Sequence, residues 1–189
     1  SVEFAAFSIT FLSVGWTSGS FIFSRLLSRW RESAVILVGA TLSVPSLVAT
    51  GVLVAGERSL ALILGTFTLV GLSIGLVSTA SLTLMQATSD ESEMGRVNAA
   101  HQFVRNLSIT LAVALGGAVI LSVVEAQVGD VETVQGVLAG EDVTVGAETM
   151  AAVGDGLAWA HVPSVAIALG CLGAAVSLIR RERTTAPNG

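Results

Sequence analysis

Five apolar stretches, separated by short polar connections, dominate the sequence. They run from Phe4 to Phe23, Ser33 to Ala55, Leu60 to Met85, Val104 to Val124 and Leu157 to Ile179. A helix needs about 20 mostly apolar residues to cross a hydrocarbon core of about 30 Å, and each stretch has that length. The pattern therefore predicts an all-α membrane protein with five spanning helices, designated spans one to five in chain order.

The arginines favour one orientation of these spans. Threading the chain back and forth puts eight of the nine basic residues on one side, and only Arg58 on the other. The eight are Arg25, Arg29, Arg31, Arg96, Arg105, Arg180, Arg181 and Arg183. Cytoplasmic loops of membrane proteins are enriched in Lys and Arg. We therefore expect residues 25–32, 87–103 and 180–189 to be cytoplasmic, and residues 56–59 and 125–156 to be external.

Composition supports the same class of protein and argues against others. Hydrophobic residues make up 52% of the chain and charged residues 12%, against about 25% charged residues in soluble domains. The net charge of −5 offers no basic surface for nucleic acid, so no nucleic-acid partner is expected. Cys171 is the single cysteine, which excludes an intrachain disulfide and indicates a small packing residue.

Span one carries a stripe of hydroxyl side chains at three- and four-residue steps, which places them on one helix face. The stripe consists of Ser13, Thr17, Ser20, Ser24 and Ser28. Two interpretations remain open. The hydroxyls line a cavity in protein or water, because polar groups facing lipid are unfavourable. Alternatively, each hydroxyl bonds to a carbonyl one turn earlier in its own helix.

Small residues spaced four apart predict close helix packing in three other spans. These residues are Gly71 and Gly75 in span three, Ala112 and Gly116 in span four, and Ala166, Gly170 and Ala174 in span five. The connection at residues 56–59 is short enough to make spans two and three antiparallel neighbours.

The connections contain the charged residues. Asp90 and Glu93 resemble a capping box, which predicts a helix starting near Glu91 that follows the cytoplasmic interface before span four. His101 is expected at the surface of this segment. The external loop 125–156 holds seven acids, no Lys or Arg, and two stretches able to form short helices. Trp159 is a candidate interfacial anchor.

Sequence motifs give no support for catalysis. The chain contains no H-E-x-x-H, no G-x-S-x-G, no P-loop and no Cys/His cluster with ligand spacing. No carboxylate falls deep within a predicted span. We therefore expect no metal or cofactor, and an intramembrane enzyme is the weakest alternative.

Two segments resemble a known transporter family. Between spans three and four, an acidic group precedes Gly-Arg, an Ala-rich turn and Phe-x-Arg, and a small-residue helix follows. The residues concerned are Gly71, Gly75, Gln86, Glu93, Gly95, Arg96, Asn98, Ala99, Phe103, Arg105 and Gly116. This arrangement resembles the late helices of the 14-span branch of the major facilitator superfamily. Residues 24–31 are similar to that superfamily's loop motif G-x-x-x-D-R-x-G, with only Arg29 retained.

The resemblance implies that the chain is a C-terminal piece, corresponding to helices ten to fourteen, of a proton-coupled transporter exporting drugs or other small molecules. It begins with Ser1, which agrees with a missing N-terminal half. The implied partners are the bilayer of a prokaryotic plasma membrane, that missing half, a small-molecule substrate and protons. The implied loop motif comprises Arg29, Gly95, Arg96, Phe103 and Arg105.

The resemblance also implies that spans one, three and four border the translocation pathway. Candidate lining residues are Ser13, Thr17, Ser20, Ser78, Asn106 and Thr110. The C-terminus is expected in the cytoplasm, and the chain alone is not expected to transport. A membrane scaffold or assembly subunit is the alternative function, because no ionisable residue is expected at depth in the spans.

Overall fold

The computed structural model describes residues 2–56, 59–129, 131–138 and 146–185. Over these ranges every regular element is a helix, which confirms the all-α class. The α-helices are α1 Val2–Leu26, α2 Glu32–Ala55, α3 Leu60–Ala87, α4 Met94–Gln127, α5 Val131–Leu138, α6 Ala147–Trp159 and α7 His161–Thr185. A single 3-10 turn, Glu91–Glu93, leads into α4. Arg58 and residues 139–145 and 186–189 lie outside the described residues.

Four segments are long and apolar enough to cross a membrane, as predicted for spans two to five. They are Glu32–Ala55, Leu60–Ala87, Glu91–Gln127 and Ala147–Thr184. Helix α1 contains predicted span one and has 25 residues, but it is not among these four. Its five serines, two threonines and two glycines lower the apolar content of the helix. Span one therefore stays a prediction, while the other four segments fit a multi-pass membrane protein.

Helices α1 and α3 pack backbone against backbone. A methyl group built onto Gly71 would lie 2.1 Å from the Leu12 carbonyl oxygen, and one on Gly15 would lie 2.1 Å from the Thr68 carbonyl oxygen. Only glycine, which has no Cβ, permits this approach. Residues further along α1 meet residues further along α3, so the two helices run parallel.

Helix α2 joins this pair to α7. Its side chains Val35 and Ala40 form a buried core with Phe23, Leu76 and Ala175. At its first turn, Ser33 Oγ donates a 2.8 Å hydrogen bond to Glu182 Oε2 near the end of α7. At its other end, Gly51 lies against His161, the first residue of α7. Helices α2 and α7 are therefore antiparallel.

The small residues that pack α7 differ from the predicted ones. Ala168 and Ala175 are buried, whereas the stripe Ala166, Gly170 and Ala174 is exposed. The buried pair is seven residues apart, two helical turns, and faces α2. The contact of α7 with α2 uses this pair, and the packing predicted for Ala166, Gly170 and Ala174 stays a prediction.

Helix α4 continues without interruption through the boundary where a change of direction was expected. It runs unbroken for 34 residues, a length of about 51 Å. The predicted interfacial segment and span four are therefore one helix, because residues 96–115 contain no Gly or Pro. Helical structure begins at Glu91 as predicted, but the Asp90 side chain makes no capping hydrogen bond.

The C-terminal end of α4 carries a small second core. Ile120 and Val124 of α4 pack with Val134 of α5 and Ala152 of α6. Gln127 Nε2 donates a 3.1 Å hydrogen bond to Asp155 Oδ2. The short helices predicted for the external loop are thus present, and α6 continues into α7 with a break at Ala160.

Candidate functional site

Helices α1, α3 and α4 carry the polar side chains that sequence analysis selected as candidate pathway residues. Helix α3 contacts α1 through the glycines described above and meets α4 near its own C-terminal end. There Gln86 Nε2 donates a 2.7 Å hydrogen bond to Asn98 Oδ1. We designate this face of the molecule, formed by the three helices, the polar wall.

The hydroxyl stripe of α1 is satisfied mostly within its own helix. Ser13 Oγ donates to the Ile9 carbonyl at 2.8 Å, and Thr17 Oγ1 donates to the Ser13 carbonyl at 3.0 Å. Ser24 and Ser28 bond in the same way, one turn back. This geometry supports the local interpretation. Ser13 and Thr17 are nevertheless exposed and line an open groove of about 460 Å³ on α1.

Ser20 is the member of the stripe that links two helices. Its hydroxyl accepts a 2.9 Å hydrogen bond from Thr79 Oγ1 of α3. The bond lies one turn beyond the Gly19–Gly75 contact, where the two backbones are close. It therefore fixes the rotation of α1 about its axis relative to α3.

The two candidate pathway residues of α4 lie apart from this link. Asn106 and Thr110 are exposed, and Thr110 Oγ1 donates to the Asn106 carbonyl at 3.1 Å. Ser78 of α3 instead lines a cavity against α4. The structure thus brings Ser20 and Ser78 to one side of α3, but it does not gather all six candidates around one cavity.

The cavity between α3 and α4, designated the α3–α4 cavity, has a volume of about 330 Å³. Its lining residues are Val77, Ser78, Ser81, Met85, Ala100, His101, Val104 and Arg105. His101 is half-buried, and its Nδ1 atom is buried without a hydrogen-bond partner among the described residues. His101 is therefore only partly at the surface, because it faces α3 across this cavity.

Arg105 connects α4 to α1. Its guanidinium carbon lies 4.3 Å from the centroid of the Trp16 ring, within the range of a cation–π interaction. Arg105 Nη1 also donates a 3.2 Å hydrogen bond to Gln102 Oε1. Among the described residues, no carboxylate lies within ion-pair distance of Arg105.

The sequence argument counted Arg105 with the cytoplasmic loops and gave no role to Trp16. Trp16 lies in the middle of α1, nine residues before Arg25, and Arg105 lies nine residues after Arg96. At 1.5 Å per residue, each side chain is about 14 Å along its helix from those arginines. The unbroken helical sequence between Arg96 and Arg105 was the signal that could have revealed this depth.

The remaining loop-motif residues do not converge on a site. Arg29 is exposed beyond α1, and Arg96 forms an ion pair with Glu93 one turn earlier. Phe103 is 67% exposed, and Gly95 has open space where a side chain would begin. On the same helix, Ala112 is exposed and Gly116 also faces open space. Of the predicted small-residue pairs, Gly71 and Gly75 alone lie in a close interhelical contact.

A larger cavity of about 550 Å³ lies between α4 and the start of α7. Leu115, Val119, Trp159 and Val162 make its lining predominantly apolar, with Gln127 at its edge. In the part of the chain that the structure describes, no three His, Cys, Asp or Glu side chains are grouped so that they could hold a metal ion. We therefore take the polar wall as the candidate functional site.

Comparison with known proteins adds no further assignment. No protein-family model, curated protein or solved structure matches this chain. The resemblance to the major facilitator superfamily therefore stays a prediction, and the geometry of the polar wall supplies the structural argument for function.

Proposed function

We propose that the chain is part of a secondary active transporter in which α1, α3 and α4 form one wall of the pathway for a small molecule. The observation that carries this proposal is Arg105 stacked on Trp16 in the interior of long apolar helices. Ionisable side chains within membrane helices are unfavourable in lipid and usually face a cavity or another protein group.

The helix directions support a back-and-forth arrangement with α1 as a fifth span. Parallel α1 and α3, with α2 antiparallel to α7, are the relations expected when consecutive spans alternate in direction. A 25-residue helix is about 38 Å long, which suffices to cross the hydrocarbon core. Its close contact with α3 would place the serines of α1 beside protein.

The hydroxyls of the polar wall suit a pathway that alternates between wet and dry states. Ser13 and Thr17 keep their hydrogen bonds to their own backbone, so loss of water leaves neither donor unsatisfied. When water enters, the hydroxyl oxygens can accept further bonds. Proton coupling and outward transport belong to the proposal through the resemblance, and the coupling carboxylate would lie elsewhere in the full-length protein.

A non-transporting scaffold is the second candidate, and the openness of α4 favours it. Only 11% of the most apolar window of Glu91–Gln127 is buried within the chain. Such a surface is available to lipid or to helices of another subunit. The two candidates differ in one physical property, because a transport pathway must admit water and a scaffold interface need not.

Water access along the polar wall tests the proposal directly. In the full-length protein without other cysteines, including Cys171→Ser, single cysteines are placed at Thr17, Ser78 and Asn106 and treated with a charged, impermeant methanethiosulfonate. We expect reaction at least about tenfold faster than at the control Val48→Cys, which is exposed on α2 away from the wall. Equal, slow reaction at all four positions would instead support the scaffold.

A further inference from the structure

We infer that the α3–α4 cavity binds the carboxylate group of an amphiphilic molecule, with Arg105 as the cation that receives it. The inference rests on the proposed function, because it names the ligand class of the same polar wall. Three observations carry it: the depth of Arg105, the lack of a protein carboxylate beside it in the described residues, and the composition of the cavity.

The depth follows from two helices independently. If Arg25 and Arg96 lie at the cytoplasmic membrane surface, then Trp16 and Arg105 are each about 14 Å inside it. That distance is about half the thickness of a hydrocarbon core. The contact between Trp16 and Arg105 shows that both side chains lie at one level.

A cation at this depth needs compensation. The Trp16 ring supplies part of it through the negative face of its π system. Gln102 supplies a neutral oxygen. Guanidinium presents a planar fork of N–H donors that matches the two oxygens of a carboxylate. A bound carboxylate would therefore complete a site that the described residues leave with a net positive charge.

The cavity provides room for the rest of the molecule. Val77, Met85 and Val104 give it apolar surface, while Ser78 and His101 add polar groups near Arg105. Its volume of about 330 Å³ is at the lower end of the range for small-molecule pockets, about 300–1,000 Å³. A charged head beside an apolar body is the signature of an amphiphilic carboxylate.

The open space also argues for a ligand over a permanent ion pair with another part of the protein. A carboxylate on another helix of the protein would need to contact only the guanidinium of Arg105. We would expect that helix to pack into the space beside Arg105 and fill it. Here the space next to Arg105 extends along α3 as far as Met85. A free molecule can enter such a cavity and leave it, which a transport substrate must do.

Photochemical labelling of the full-length protein in phosphatidylcholine nanodiscs tests the inference. The probe is a fatty acid that carries a diazirine and an alkyne, and the comparison compound is the corresponding fatty alcohol. We expect the acid to label residues 77–85 and 100–105, as located by mass spectrometry of the labelled peptides. Excess unlabelled fatty acid should remove this labelling, and excess fatty alcohol should not.

Variants of two arginines on α4 sharpen the test. Arg105→Gln should reduce labelling at the cavity at least about tenfold, the effect of losing a hydrogen bond to a charged group. Arg105→Lys keeps the charge and should retain labelling within about threefold of wild type. Arg96→Gln is the matched control, because Arg96 is exposed on the same helix and bound to Glu93. It should label like wild type.

Equal labelling by acid and alcohol in the wild-type protein would overturn the inference, and this comparison needs no variant that could fail to fold. The inference would also be overturned if Arg105→Gln were labelled as strongly as the wild-type protein. Labelling confined to other helices would overturn it too. Labelling requires no gradient and no transport. Failure of the carboxylate site is therefore distinguishable from failure of the water-access test, which concerns the pathway itself.

Discussion

Helices α3 and α4 differ in how much of their apolar surface is covered by the rest of the chain. Helix α3 is buried on both sides, by α1 through glycines and by α2 through the apolar core. In its most apolar window 39% of residues are buried, against 11% for α4. Helices α1 and α3 contact each other closely within this chain, whereas α4 is long, continuous and open. The difference indicates that the first pair maintains the fold and that α4 is available for ligands or partners.

Labelling from the two sides of the membrane tests whether α4 crosses it completely. We expect each cysteine to be labelled from one side only. Single cysteines are placed at Ser89 and Thr144 in a Cys171→Ser background of the full-length protein. Because these positions lie on either side of α4 in the sequence, an impermeant maleimide should reach Ser89→Cys only from the cytoplasm and Thr144→Cys only from outside. Reaction of both from the same side would contradict the topology and the role assigned to α4.

A large side chain at Gly71 should break the α1–α3 contact. In Gly71→Leu the new side chain would collide with the backbone of Leu12, so we expect a loss of about 3 kcal/mol or more in the free energy of unfolding. Gly116→Leu is the matched control, because open space surrounds Gly116. It should change stability by less than about 1 kcal/mol. Reversible unfolding in mixed micelles measures both, and equal losses would show that α4 is packed as tightly as α3.

A double-mutant cycle between Trp16 and Arg105 measures the one described link from α4 to α1. For Trp16→Leu and Arg105→Gln we expect a coupling energy of about 2 kcal/mol, because both side chains are half-buried and the proposed topology places them within the membrane. The exposed pair Arg25 and Phe21, with 5.0 Å between guanidinium carbon and ring centroid, is the control. Its cycle should give about 0.5 kcal/mol. Similar values for both cycles would argue that Arg105 is as hydrated as Arg25.

The smallest expected difference in unfolding free energy is between variants of two threonines, Thr79 and Thr110. Thr79→Val removes the hydrogen bond from α3 to Ser20 of α1 and should cost about 1 kcal/mol of unfolding free energy. Thr110→Val removes only a bond within α4 and should be close to neutral. The same unfolding measurement applies to both. If Thr110→Val is the more destabilising, α4 makes polar contacts that its openness does not suggest.

The helices themselves could be predicted because their cause is local. Long apolar runs predicted α2, α3, α4 and α7, in α2 despite Pro45 near its middle, and the alternating arginines gave a consistent set of directions. Gly71 and Gly75 stand at a close contact because small residues at that spacing leave a groove for a partner. The same reasoning did not identify Ala168 and Ala175 as the residues of α7 that face α2, since several small residues on one helix offer several grooves and the partner decides among them.

The site was harder to predict because its residues meet across helices. Trp16 and Arg105 are 89 positions apart, and nothing in either local sequence indicates the other. His101 was assigned to the surface because the charged residues around it suggested an interface. Because α4 is continuous, His101 and Arg105 both line the α3–α4 cavity. The absence of Gly or Pro in residues 96–115 could have indicated this continuity. Which of Ser13, Thr17, Asn106 and Thr110 meets water depends on groups beyond those described.

The parallel contact of α1 and α3 also sets an order of events during synthesis. Gly71 is made 56 residues after Gly15, and in the proposed topology α2 enters the membrane between them. At about 5–20 residues per second, α1 waits roughly 3–11 s for its partner. During that interval its hydroxyls have only their own carbonyls to bond with, and those bonds are the ones Ser13 and Thr17 keep in the finished structure. In the proposed topology, helix α1 can thus reside in lipid, or beside the insertion machinery, before its permanent neighbour exists.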